Sequence, residues 1–392
     1  MTPRDNAARR RQERCPVLLL NNADVASLLQ VEDVVRVLEE AYLDLARDQA
    51  VCRPRIDLRF PTGDPDTVYQ WGTMEGGSAR TGYFAIRMKS DVLREVEYAG
   101  TRTQEKYCGT PGTYCGLVLL LSARTGEPLA LLNDGVLQHA RVGADSAIGV
   151  RHGARGDAAV LGMLGSGGMA HSHLEAFRVV RGIQRVQVFS PTRAHRERYA
   201  AEVAERYGIE VVPVDEPEHV YRGADVVSAC TDAAGEVLRG AHLEPGTHLT
   251  AIGGRPDGEA LRRIDSWLRL GDAPAPLTNP QWATRDEYVA YVACQDDPVW
   301  ARHTHGREPP RPPNRSGKPR VVSLSDVLAG REVVRREDTD VTFSERGNVQ
   351  GAQFHAVAGL VYELALSAGR AACCRRSGSC RTSATERPTC CS

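Results

Sequence analysis

The spacing of apolar residues changes character midway along the chain. Residues 17–20 are a short apolar run read as a strand, and Asn22 to Asp24 supplies helix-starting side chains. From Val31 the apolar positions Val34, Val35, Leu38, Ala41, Tyr42 and Leu45 recur at one-sided helical spacing, with Glu32, Asp33, Arg36, Glu39 and Glu40 elsewhere on the wheel. That pattern predicts an amphipathic helix packed on one face. Residues 55–60, 68–72 and 82–89 alternate or run apolar between Gly, Pro and Asp breakers, as strands do. Residues 115–121 and 128–132 read as a hairpin turning at Arg124-Thr125-Gly126. The first 135 residues are therefore α+β, followed by a helical pattern from Leu137 through Ala147 and Val150.

From Asp157 the pattern becomes strand–helix alternation. Short apolar strands are expected at 158–164, 186–189, 210–214, 224–230, 248–252 and 267–270. This rhythm predicts an α/β fold built on a Rossmann-type, doubly wound parallel sheet. Residues 274–318, rich in Pro, charge and His, have no clear period and read as an insertion. Helical spacing returns at 323–328 and 352–366. We therefore expect a substrate-binding and dimerisation domain from residues 17–145 plus 330–370, and a dinucleotide-binding domain over 146–329. Residues 1–16 are expected to be a disordered basic arm, and 371–392 a disordered Cys-rich tail.

Composition narrows the function classes. Lys and Arg number 49 against 50 Asp and Glu, so nothing global attracts nucleic acid or an anionic membrane. No apolar run approaches the roughly 20 residues that span a bilayer. The six cysteines before residue 300 are scattered singly, which suits reduced thiols in a cytoplasmic protein. The remaining five crowd the last 20 residues, whose lack of Leu, Ile, Val and aromatics suggests an out-of-frame or eroded terminus. His171 with His173, and His303 with His305, lie two apart and lack further ligands, so no metal is expected.

The strongest chemical signal is Gly165-Ser166-Gly167-Gly168-Met169-Ala170, which follows one strand and opens the next helix. Gly165 permits the tight turn, Gly167 a close approach to a pyrophosphate, and Ala170 close helix–strand packing. The helix N-terminus then faces the phosphate charge. An NAD site usually carries Asp or Glu at the end of the second strand, to hold the ribose hydroxyl. Here that place reads Phe189-Ser190-Pro191-Thr192-Arg193, so Ser190, Thr192 and Arg193 predict NADP(H) over NAD(H).

Further motifs occur in order. They are Pro54-Arg55, a strand ending in Lys89, Thr125-Gly126 through Asp134-Gly135, Arg141, the Gly165 loop, Ala224-Asp225 with Thr231, residues 245–254 ending in Gly253-Gly254, and Ser344 to Gly347. Over residues 17–370 this set resembles the ornithine cyclodeaminase/μ-crystallin family. The resemblance implies a homodimeric enzyme that moves a hydride between nicotinamide and the α-carbon of a small amino or imino acid. It further implies Arg55 and Arg141 as carboxylate donors, Lys89 as proton carrier, and Thr231 and Gly253 beside the cofactor. Arginine suits a carboxylate, and a desolvated lysine suits proton transfer.

Departures from the family pattern also carry information. The cyclodeaminases carry an acidic residue after the Gly-Gly; here Arg255 stands there, with Asp257 two residues on as a second catalytic candidate. Gln138-His139 and Val142-Gly143 replace the threonines that usually flank the arginine. The expected reaction is reduction of an imino or keto acid. The alternatives are an NAD-dependent cyclodeamination of ornithine and a non-catalytic cofactor-binding protein.

Overall fold

The computed structural model describes residues 17–98, 101–233, 235–271, 284–285, 288–292, 319–369 and 373–374. The basic arm at 1–16, most of the 274–318 insertion and nearly all of the tail lie outside them.

The larger of two main sheets carries six strands that matter here: β1 (Val17–Leu20), β2 (Arg55–Pro61), β3 (Thr67–Ser78), β4 (Tyr83–Tyr98), β5 (Cys115–Ser122) and β6 (Pro128–Asn133). They lie in the order β2-β3-β4-β5-β6-β1, antiparallel except where β1 runs parallel to β6. The alternation legible in the sequence places Arg55, Asp57 and Arg59 on one face of β2, and Arg87, Lys89 and Asp91 on the same face of β4. Val34, Leu38 and Tyr42 of α1 (Val31–Ala46) join the core over this sheet, with Phe354, Val357 and Val361 of α6 (Gln350–Ser367).

The second sheet is parallel throughout, in the order β9-β8-β7-β10-β11-β14-β12-β13. Its strands are β7 (Val160–Leu164), β8 (Arg185–Phe189), β9 (Glu210–Pro213), β10 (Val226–Ala229), β11 (His248–Ala251), β12 (Ser266–Arg269), β13 (Arg320–Ser323) and β14 (Thr342–Glu345). The chain leaves β7 toward β8 and β9, then crosses back to β10, so the strand order reverses between β7 and β10. Ligands of doubly wound sheets bind outside the carboxyl ends of the strands at such a point.

Two boundaries differ from expectation. Residues 330–370 are split: β14 inserts between β11 and β12 of the parallel sheet, while α6 packs on the larger one. Part of the insertion, Tyr288–Val292, runs parallel to β2 as a strand of the larger sheet. Cys373–Cys374 pairs with β1.

Helix α2 (Gly135–Gly153) joins the halves. A Cβ at Gly143 would lie 2.4 Å from Ser172 O of α3 (Gly168–Val180), and one at Gly153 2.5 Å from the buried His248. Small residues let α2 lie this close to the nucleotide half, which fixes the cleft between the two sheets.

Candidate active site

The floor of the site is a row across the larger sheet in which Asp57, Gly72, Lys89 and Gly116 are paired neighbours. The two glycines leave room for charged groups. A Cβ at Gly72 would lie 2.5 Å from Lys89 Cε and 2.6 Å from Asp57 Oδ1, and one at Gly116 2.0 Å from the Asp134 carboxylate. Lys89 is buried, and its Nζ donates to Asp91 Oδ2 at 2.8 Å. Burial first, then the charge of Arg55, pulls the Lys89 pKa down to about 8, against the opposing pull of Asp57 and Asp91. Asp57 is fully buried, with Arg55 at 3.0 Å and Arg59 at 3.4 Å from its Oδ2. Burial alone would raise its pKa, but Arg55, Lys89 and Arg59 outweigh that and hold it below the usual carboxylate range.

The cationic surface continues toward α2. Arg87 ion-pairs with Asp134 at 2.6 Å, and Arg87 and Arg141 lie over the Phe354 ring at 5.7 Å and 4.9 Å. Arg141 is 2% exposed. Its Nη1 donates to Gln353 Oε1 at 2.6 Å, and its Nε and Nη2 donate to Gln138 Oε1. Among the described residues no carboxylate lies within ion-pair distance of it. Burial, then the charges of Arg346 and Arg87, push its pKa below the ordinary arginine value. Gln353 Nε2 in turn donates to Tyr42 OH at 2.8 Å, and Tyr42 OH donates to the buried Asp145. The chain Arg141–Gln353–Tyr42–Asp145 thus orients the guanidinium from behind.

Opposite lies the carboxyl edge of the parallel sheet. Gly165 has φ +112°, and a Cβ there would lie 2.1 Å from Cys230 O at the end of β10. One at Gly253 would lie 1.7 Å from Thr231 O. These glycines draw the ends of β7, β10 and β11 together. Gly167, the N-cap of α3, has no atom within 4 Å of a Cβ position, so the backbone of the turn is approachable there. Ser166 and Met169 are half-buried beside it, and Ala170 is fully buried. Gly168 faces His139 of α2, whose Nε2 lies 2.9 Å from a Cβ position. The first turns of α2 therefore reach both the Arg87–Lys89 face and the glycine turn. An open, glycine-lined turn at a strand-order reversal, beside a helix N-terminus, fits a dinucleotide pyrophosphate.

The remaining expected residues are placed less centrally. Ser190 is buried, and its carbonyl accepts from Arg196 Nη1 at 2.9 Å. Thr192 is the N-cap of α4 (Arg193–Tyr207). Arg193 is exposed and pairs with Glu197 at 2.6 Å. Asp257, expected as a second catalytic group, instead caps α5 (Gly258–Arg263). Its Oδ1 accepts from Ala260 N at 2.7 Å and Gly240 N at 3.0 Å, and the structure does not bring it into contact with Lys89 or Arg141. Asp57, Asp91, Arg87, Tyr42, Gln353 and Arg346 were missed. Of these, Asp57, Arg87 and Asp91 had a readable signal, the two-residue spacing from Arg55 and Lys89.

A glycine turn at a strand-order reversal, together with a buried lysine and an arginine without a carboxylate at ion-pair distance, fits an oxidoreductase with a Rossmann-type sheet. A profile of the ornithine cyclodeaminase/mu-crystallin family matches residues 85–369, and the chain belongs to that family. It is an NAD(P)(H)-dependent enzyme of this type. It is 26% identical over 352 residues to an uncharacterized cyclodeaminase, y4tK, of Sinorhizobium fredii, spanning 88% of this chain and 95% of that one. With a Delta(1)-pyrroline-2-carboxylate reductase of Bacillus cereus it shares 31% identity over 327 residues, 83% of this chain and 90% of the relative. Its fold is similar to that of the Thermococcus litoralis Delta(1)-pyrroline-2-carboxylate reductase in complex with NADH and L-proline. The TM-score is 0.67 at 20% identity, covering 90% of this chain and 98% of the other. Among the described residues no helix is long and apolar enough to cross a membrane.

Proposed function

We propose that the enzyme reduces a small imino or keto acid to the corresponding amino acid, with Arg141 and Arg55 receiving the carboxylate and Lys89 supplying the proton. The observation that carries this reading is the buried Lys89–Asp91 pair sharing a cleft with Arg141, a buried guanidinium whose hydrogen bonds all go to neutral amides. A desolvated cation with no ionic partner is costly, and a substrate carboxylate relieves that cost with bidentate geometry. When bound, a reduced nicotinamide supplies the hydride.

Gly165, Ser166, Gly167, Gly168, Met169 and Ala170 would hold the pyrophosphate, and Thr231 and Gly253 would flank the nicotinamide end. Lys89, with a pKa near 8, carries a proton at neutral pH and gives it to the imine nitrogen as the α-carbon gains hydride; a 2-oxo acid first condenses with ammonia, releasing water, to form that imine. Asp91 holds the ammonium in place. In balance, the imine takes up one hydride and one proton, and the coenzyme leaves oxidised.

NADP(H) is the favoured coenzyme. Ser190 and Thr192 stand where a ribose-binding carboxylate is usual, and the exposed Arg193 has only a surface partner to give up. Arg193→Glu is expected to weaken NADPH binding at least tenfold and leave NADH within about twofold, as read by fluorescence titration. The companion assay follows coenzyme absorbance with cyclic imino acids, and with 2-oxo acids plus ammonium. Turnover of ornithine with NAD and ammonia release, without net coenzyme oxidation or reduction, would replace reduction by cyclodeamination. The homodimer implied by the family is tested by sedimentation equilibrium.

A further inference from the structure

Arg346 is a second cation in the cleft without an acidic partner. It follows β14 directly, at the same carboxyl edge as Gly253, and is half-buried. Its Nη2 donates to Ile252 O at 3.3 Å, a long bond to a neutral acceptor, and among the described residues no carboxylate lies within ion-pair distance of it. Its charge is felt at Arg141, where it is the largest charge effect, and also at Asp145, His173 and Cys230. Ile252 immediately precedes Gly253, so this bond sets the guanidinium at the carboxyl edge of the parallel sheet, close enough to Arg141 for its charge to be felt there.

The charges around it do not balance. Arg87 is answered by Asp134, Lys89 by Asp91, and Arg55 with Arg59 by Asp57. Arg141 and Arg346 are left without a carboxylate at ion-pair distance among the described residues, and Asp145 is a buried carboxyl that feels the charge of both. Burial pushes the Asp145 pKa up, and its Oδ1 is already occupied by Tyr42. Two like charges held together in a partly desolvated cleft repel, and an anion between them converts that repulsion into binding. One carboxylate answers one of them; a second anionic group answers the other.

We propose that Arg346 receives a second carboxylate of the substrate, so that the site takes a dicarboxylic 2-imino or 2-oxo acid, with its other carboxylate on Arg141. This rests on the carboxylate-binding reading of Arg141 given above. It adds a specificity-determining residue outside the glycine turn and outside the Lys89 row. A monocarboxylic acid would leave the half-buried Arg346 guanidinium unanswered.

Calorimetric titration of the full chain with two unreactive acids, succinate and propionate, tests this without turnover. The wild type is expected to bind succinate at least tenfold more tightly than propionate. Arg346→Gln is expected to erase that difference while leaving propionate and NADPH affinity within about twofold, and Arg346→Lys to restore part of it. Equal affinity of the two acids for the wild type, or unchanged succinate binding in Arg346→Gln, overturns the second-carboxylate assignment alone. If neither acid binds and Arg141→Gln changes nothing, the carboxylate reading of Arg141 falls with it.

Discussion

Lys89 Nζ lies 2.8 Å from Asp91 Oδ2, two residues further along the same face of β4, and both side chains are less than a tenth exposed. The pair keeps a proton in a site whose burial would otherwise remove it. Because the Lys89 pKa is drawn down to about 8, the protonated form needed for reduction is present below that pH and lost as pH rises through it. kcat/KM for reduction is therefore expected to fall above pH 8, while the reverse oxidation gains. Asp91→Asn removes a charge that supports the ammonium, so the midpoint moves down. Stopped-flow pH profiles of the wild type and of Asp91→Asn measure it.

Lys89→Met removes the proton carrier but not the nucleotide turn. A loss of about 10²–10⁴-fold in kcat is expected, with coenzyme affinity unchanged. Equilibrium titration and steady-state rates on the same preparation separate the two effects.

Gly72 leaves the space above β3 that the side chains of Asp57 and Lys89 occupy. Gly72→Ala places a methyl 2.5 Å from Lys89 Cε, and the lysine side chain must swing away from it. The expected result is a loss of at least tenfold in kcat/KM with a Tm close to wild type, since the obstructing atom belongs to a flexible side chain. Parallel kinetics and thermal melts check this.

Two glycines of one turn should fail differently. Gly165→Ala forces a side chain into a φ of +112° and onto Cys230 O, at a cost of about 1–3 kcal/mol or more, so both Tm and coenzyme binding fall. Gly167→Ala meets no protein atom, so the fold is kept and only coenzyme affinity drops. Thermal melts with and without NADPH distinguish them.

The Arg141–Gln353–Tyr42–Asp145 chain makes a prediction for a residue remote from the coenzyme. Tyr42→Phe leaves Gln353 Nε2 and the Asp145 carboxyl without their partner, at a cost of about 1–3 kcal/mol. It also loosens Arg141, so KM for the acid is expected to rise more than kcat falls. Denaturant melts and a KM-against-kcat comparison read both.

How far the site was legible depended on whether its residues depend on backbone or on tertiary pairing. The Gly165 turn was readable because its positive φ and close approaches restrict it to glycine whatever surrounds it. Arg55, Lys89 and Arg141 came from the resemblance to a family; an alternating strand such as residues 55–59 shows only that they share a face. Tyr42, Gln353 and Arg346 were hidden as site residues, because only tertiary packing brings their segments, remote in sequence, to the surroundings of Arg141. Asp257 had a readable local meaning, an Asp before Gly-Glu-Ala as a helix cap, and that meaning prevailed. The split of residues 330–370 was missed because Thr342–Glu345 is too short to show a period of its own.

The most direct test of the central claim is coenzyme oxidation at 340 nm with an imino acid, in wild type and in Lys89→Met, each first shown by titration to bind NADPH. The account predicts turnover in the wild type that is nearly abolished in the variant while both bind coenzyme equally. Equal turnover in the two proteins, or no NADPH binding in either, would contradict it.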